Sequence, residues 1–197
     1  SAYRGIAVVS AVIFALILAT PLERPQTRRA AFGLADIRKA LRVPQLTLGI
    51  VIAATGYGVM NLLMIASSLT LNHLSCLYAT ISLSIQWHVL AMFVPSLVMG
   101  RIIARIGEVT VVAIGALLLI LSSLIAMLNA NSIPTIQTTR VLLGLGWNMT
   151  YVGGSYLAAR NAPPEHALSI QAVNDVSIGF CAMLGAFLPG VVLDLWG

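Results

Sequence analysis

Hydrophobic residues fall along this chain in long unbroken runs, not in stripes. Six runs stand out, over residues 3–20, 46–71, 79–99, 109–128, 134–159 and 168–195. A helix needs about 20 apolar residues to cross the ~30 Å hydrocarbon core of a bilayer. Helices apolar on every face have no place in a soluble fold, but lipid accepts them because their backbone hydrogen bonds close internally. The expected fold class is therefore an all-α membrane protein with six spans. The first run is short at its start, as in a piece cut from a longer protein. The long second, fifth and sixth runs predict tilt or extension beyond the bilayer.

Composition sharpens this picture. Hydrophobic residues make up 59% of the 197, charged residues 9%, and mean hydropathy is +0.96. A soluble domain carries roughly 25% charged residues. A net charge of +5 would suggest nucleic acid in a soluble protein, but here the basic residues sit between the apolar runs. The connection 21–45 holds Arg24, Arg28, Arg29, Arg38, Lys39 and Arg42 against Glu23 and Asp36. Arg101 and Arg105 follow the third run and Arg160 the fifth, whereas 72–78 and 129–133 contain no Lys or Arg. The positive-inside rule makes the basic loops cytoplasmic in a multi-pass protein of the inner (cell) membrane, with Arg4 the exception. Within the connection, 32–41 suits either a short surface helix or a solvated linker. Cys76 and Cys181 form no metal-spaced set and no disulfide framework. Lacking an initial Met and a signal-peptide layout, the chain reads as cut at both ends.

Ionisable groups inside a span are costly, and so they are the first functional candidates. His88 lies roughly 14 Å into the third run, near the midplane, with Gln86 two positions before it. Its imidazole could relay a proton, or it could be a neutral ring bonded to a neighbouring helix. Arg140 lies roughly 9 Å from the outer end of the fifth run. It could meet an anionic substrate, snorkel outward or pair with Asp194. Asp175, beside Asn174, enters the sixth run near its inner end and suits a latch to the cytoplasmic loops better than proton transfer. Arg140 and Asp175 occupy opposite leaflets and are not expected to pair. Asn61 and Asn148 could contact solute or hold helices together.

Gly146, Thr150, Gly154 and Ala158 recur every fourth residue with Gly153 alongside, and Ala54 and Gly58 repeat the spacing on the second run. Such faces let helices approach closely. Pro95 and Pro189 should bend their spans. Asn148-Met149-Thr150 matches a glycosylation sequon but lies within a span. No phosphate loop, nucleophile elbow, metal set or paired carboxylates appear, so neither an enzyme nor a bound cofactor or metal is indicated.

Gly100-Arg101-Ile102-Ile103-Ala104-Arg105-Ile106-Gly107 resembles the short cytoplasmic loop motif G-x-x-x-D-R-x-G of the major facilitator superfamily. Ala104 replaces the Asp, and Glu108 stands where a basic residue is usual, which weakens a charge-relay role. Arg140 to Gly146 is similar to that family's R-x-x-x-G-x-G fourth-helix pattern, and Gly185, Pro189 and Gly190 loosely match its glycine-proline motif. The strings Gln86 to Ser96, Gly146-Trp147-Asn148 and Gln171 to Asp175 look like a bacterial branch of permeases.

The resemblance implies a helical bundle of this family. Residues 1–20 would be the sixth of twelve helices and 21–45 the basic central loop. Residues 46–197 would be the seventh to eleventh helices, with the twelfth missing. It implies alternating-access transport, and the polar residues within the runs suggest a small solute driven by a proton gradient, with His88, Gln86, Asn61, Asn148 and Arg140 along the pathway. Asp175, Asn174, Gln171, Arg105, Gly100 and Gly107 would form a conformational latch. The partners would be lipid, solute and the missing first-half bundle, without nucleic acid. A non-transporting sensor or assembly protein with the same fold is the competing reading.

Overall fold

The computed structural model describes residues 2–20, 33–73, 78–128 and 132–196. Among these the regular structure is helical: α1 (Ala2–Ala19), α2 (Leu34–Ala40), α3 (Pro44–His73), α4 (Tyr78–Phe93), α5 (Ser96–Ile106), α6 (Glu108–Leu128), α7 (Ile133–Arg160) and α8 (Ala167–Trp196), with a 3-10 turn before α8. The chain divides into two units, Ser1–Ala31 and Phe32–Gly197. In the first, α1 exposes every described side chain from Arg4 onward. Arg24, Arg28, Arg29 and Cys76 lie outside the described residues, as does most of the two neutral loops.

In the second unit α7 is the hub, touching α3, α4, α6 and α8, while α3 also packs along α8. Small residues make this possible. A Cβ added at Gly49 would lie 2.6 Å from Gly154 O and Ala158 N, and one at Gly146 would lie 3.0 Å from Gly115 O. One at Gly144 would lie 2.7 Å from His88 O. The four-residue stripe expected to form one face thus serves two neighbours. Gly146 meets α6, whereas Gly154 and Ala158 meet α3. A four-residue step over-rotates by about 40°, so the stripe winds around the helix. The second-run pair keeps to one neighbour, with Ala54 against Ile178 and Gly58 against Cys181 and Gly185, all of α8.

Proline explains the largest departure from the expected elements. The run 79–99 is two helices, α4 and α5, bent by 42° across Val94 and Pro95. Pro95 has no N–H for the ladder and its ring crowds the preceding turn. Beyond the bend the helix continues to Ile106, so the Gly100–Gly107 motif is not a loop. Only Gly107 separates α5 from α6, at a φ of +83° that favours glycine. Pro189, by contrast, lies inside α8, which runs on to Trp196 without a break.

By length and apolar content α3, α6 and the Pro164–Val191 segment can each cross a bilayer, and α4 with α5 makes a bent fourth span. α1 is a shorter apolar helix. With 28 residues α7 is long enough but too polar to meet the same standard. Its central position is the reason: 13 of its residues are buried against other helices, so they need not be apolar.

The basic residues gather at one end of the bundle. Ala40 of α2 packs with Leu46, Ile50, Ala158 and Ile170, joining α2 to the ends of α3, α7 and α8. Exposed Arg38 and Lys39 occupy the last turn of α2, where cations complement the helix dipole. Within 32–41 the helix is Leu34–Ala40, anchored on the bundle by Ala40. At the same end Arg160 Nη1 bonds Glu108 Oε1 at 2.6 Å, tying α7 to α6.

Candidate functional site

A fully buried arginine dominates the polar interior. Arg140 is 0% exposed. Its Nε donates to Ser67 Oγ at 3.0 Å, Nη1 to Ser84 Oγ at 2.9 Å and Nη2 to Ser68 Oγ at 2.7 Å. Ser67 and Ser68 come from α3 and Ser84 from α4, so one guanidinium joins three helices. No carboxylate pairs with it among the described residues, where the ion pair is Arg160 with Glu108. The Asp194 side chain, one expected partner, lies outside the described part. The snorkelling alternative does not hold, because the guanidinium turns inward to the serines.

His88 sits beside this cluster. Ser84, His88 and Met92 are the buried residues of α4, four apart, and they face α7. The ring Nδ1 lies 2.8 Å from the Arg140 carbonyl oxygen. A carbonyl only accepts, so Nδ1 carries the hydrogen and donates it. Nε2 is buried and has no hydrogen-bond partner among the described residues. In the neutral ring it therefore holds a lone pair able to take a proton. Gln86 does not join this group. Two residues turn a helix by about 200°, and its exposed side chain bonds Ser82 Oγ at 3.4 Å.

The two asparagines bridge helices. Asn61 Nδ2 donates to Ala182 O of α8 at 3.0 Å. Asn148 Nδ2 donates to Met92 O at 2.6 Å and also bonds Ser96 Oγ, spanning the bend between α4 and α5. Its Oδ1 is buried without a partner among the described residues.

The six residues expected as a latch fall into two groups. Gly100 lies midway along α5 and Arg105 and Gly107 at the α5–α6 turn, whereas Gln171, Asn174 and Asp175 lie on α8. No hydrogen bond or ion pair joins the groups among the described residues. Gln171 Nε2 donates to Asp175 Oδ1 at 2.9 Å on the exposed side of α8. Asn174 turns inward and donates to Ser155 Oγ of α7 at 3.2 Å. Asp175 and Arg140 form no ion pair among the described residues.

Two features escaped sequence reasoning. The serines at 67, 68 and 84 look ordinary in helices, yet Ser84 precedes His88 by four residues, a spacing that could have marked a shared face. The other is an aromatic group about two to three turns along α7 from Arg140. Trp147 and Tyr151 stack with centroids 4.9 Å apart at 9°, and Tyr57 of α3 sits edge-on to both at 5.6 and 6.0 Å. Phe93 of α4 meets Trp147 edge-on at 6.1 Å. Elsewhere a largely apolar groove of about 440 Å³ runs between α3, α6 and α7 and reaches Ser67 and Thr139 at the edge of the arginine cluster.

Comparison with known proteins places this geometry. The profile of the Major Facilitator Superfamily matches residues 46–197. The riboflavin transporter RfnT of Brucella anthropi is 27% identical over 189 residues, covering 94% of this chain and 47% of that protein. The uncharacterized MFS-type transporters YddS and YdeG of Bacillus subtilis are 28% and 27% identical, each over 74% of this chain and 34% and 35% of their own length. The chain thus spans half or less of the curated relatives it matches. No solved structure matches.

Proposed function

Because this chain belongs to the major facilitator superfamily, we propose that it forms the second-half bundle of a secondary transporter that moves a small organic solute by alternating access, coupled to protons. Family membership supports a lipid-bilayer setting and a transporter rather than an enzyme. In this reading α1 is the sixth helix, the basic connection is the central cytoplasmic loop, and α3 to α8 supply one wall of the cavity. The polar termini of α2, α5 and α7 face the cytoplasm of a cell membrane. Riboflavin, the solute in the Brucella relative's name, is the first candidate to try.

The observation that supports coupling is the contact of His88 with Arg140, two ionisable residues buried in the bundle. Nδ1 is committed to the Arg140 carbonyl, so an incoming proton goes to Nε2. The resulting imidazolium would sit beside a guanidinium that has only neutral serine partners among the described residues. Two like charges at low dielectric repel, and the strain is relieved when α4 and α7 separate. Protonation would thereby favour one of two bundle arrangements, as a coupling ion must. Asn148, donating at the α4–α5 bend, would carry that displacement to the basic end. The two groups of latch residues there would bind the first-half bundle.

Uptake by the full-length protein in vesicles tests this reading. An imposed pH gradient should drive riboflavin or another small solute, and His88→Ala should remove the pH dependence. A pH dependence unchanged in His88→Ala would take His88 out of the coupling role.

A further inference from the structure

The aromatic group on α3, α4 and α7 has a property that packing does not require. Buried Tyr and Trp residues usually find partners for their O–H and N–H. Here the Trp147 indole is 5% exposed, and its Nε1 has no hydrogen-bond partner among the described residues. The half-buried Tyr57 and Tyr151 hydroxyls make no hydrogen bond among the described residues either. Three donors thus border one set of stacked rings. Met60 and Met64 pack against the same rings, adding polarizable sulfur. Phe93, 57% exposed, opens the set on the α4 side.

We propose that Tyr57, Trp147, Tyr151 and Phe93 form a receptor for a flat heteroaromatic ring, which stacks on the tyrosine and phenylalanine faces while its edge acceptors take the free donors. The chemistry follows from the residues. Aromatic faces favour a flat π-system over a sugar or an aliphatic acid. The buried Trp147 N–H, unpartnered among the described residues, favours a ring with nitrogen or carbonyl oxygen on its edge, because an unmade buried hydrogen bond is costly. Arg140 lies seven residues from Trp147, roughly 10 Å along α7. The ring site is therefore separate from the proposed coupling residues but on the same helix, and a shift of α7 reaches both. This inference rests on the transporter reading and narrows it to a class of solute.

Binding and transport should be measured separately on full-length protein. Lumichrome, a fluorescent tricyclic ring without a side chain, is the probe, and ribitol is the non-aromatic control. Lumichrome fluorescence should be quenched on titration with protein in detergent, and ribitol should not compete. Tyr151→Leu should weaken binding about tenfold, because a stacking face is lost. Trp147→Phe and Tyr57→Phe keep the rings and lose one donor each, and should weaken it about threefold. These isosteric variants keep the test open if Tyr151→Leu fails to give a monodisperse protein.

Absence of lumichrome, indole and purine binding to the wild type would overturn the proposal. So would binding unchanged in all three variants. Uptake of a non-aromatic solute without ring binding would remove the ring site and leave the transporter. Ring binding without uptake of any solute would keep the ring site and remove the transporter reading.

Discussion

Helices α6 and α7 lie side by side and solve opposite problems. On α6, Val111, Gly115, Leu119 and Ser122 make one buried stripe, while Leu117, Ile120, Leu121 and Leu124 are exposed and apolar. On α7, buried residues surround the axis and include Thr139, Arg140, Asn148 and Thr150. One is apolar outside because its neighbour is hydrocarbon. The other is polar and small inside because its neighbours are helices. Hydropathy therefore reports contact with lipid, not position within the bundle, and the most central helix is the least apolar of the long ones.

Substitutions at matched sites sharpen this contrast. The largest stability effect is expected at Gly154. Leucine there would strike the Gly49 carbonyl 2.8 Å from the new Cβ and cost about 3 kcal/mol or more. Ile120→Leu on the exposed side of α6 should change stability by under about 0.5 kcal/mol. Reversible unfolding in mixed micelles compares the two, and equal losses would break the distinction between the helices.

Arg140→Met separates stability from function. Replacing a buried charge by an apolar side chain of similar size is often neutral or stabilising. Ser67 and Ser68 each already donate to Met64 O, so they stay satisfied. Stability should therefore stay within about 2 kcal/mol of the wild type, the main cost being buried Ser84, which loses its partner, while uptake is lost. A variant that unfolds would instead make the arginine a structural clamp.

The α6–α7 fold was largely legible in the sequence, because the apolar runs and the small-residue spacing are local patterns. Charge between the runs also located the basic end. The bend at Pro95 was legible, but its consequence was not. A helix resuming at Ser96 depends on α5 packing Met99 and Ile103 against Val111. The candidate site was half legible. His88 and Arg140 stood out as ionisable groups in apolar runs, yet their contact joins residues 52 apart. Nothing in a single sequence specifies such a pairing. Gln86 does not share the His88 face, because proximity in sequence is not proximity on a helix.

Smaller effects fall on the inter-helix bonds. Asn148→Leu should cost about 1–2 kcal/mol, because the Met92 carbonyl at the α4 bend loses its donor. Asn61→Leu should cost about 0.6 kcal/mol. Least of all, the pair Arg160–Glu108, with Arg160 61% exposed, should show a coupling below about 1 kcal/mol that fades in high salt. Double-mutant cycles measure each, and a coupling for this exposed pair above that at Asn148 would invert the ranking.

Proton movement offers the most direct test of the account, in which the buried α4–α7 contact links protonation to transport. Full-length protein sealed in vesicles with an internal pH dye should show proton flux on addition of the transported solute. His88→Gln should abolish that flux while solute still equilibrates down its own gradient. Solute-dependent proton flux of wild-type size in His88→Gln would contradict it.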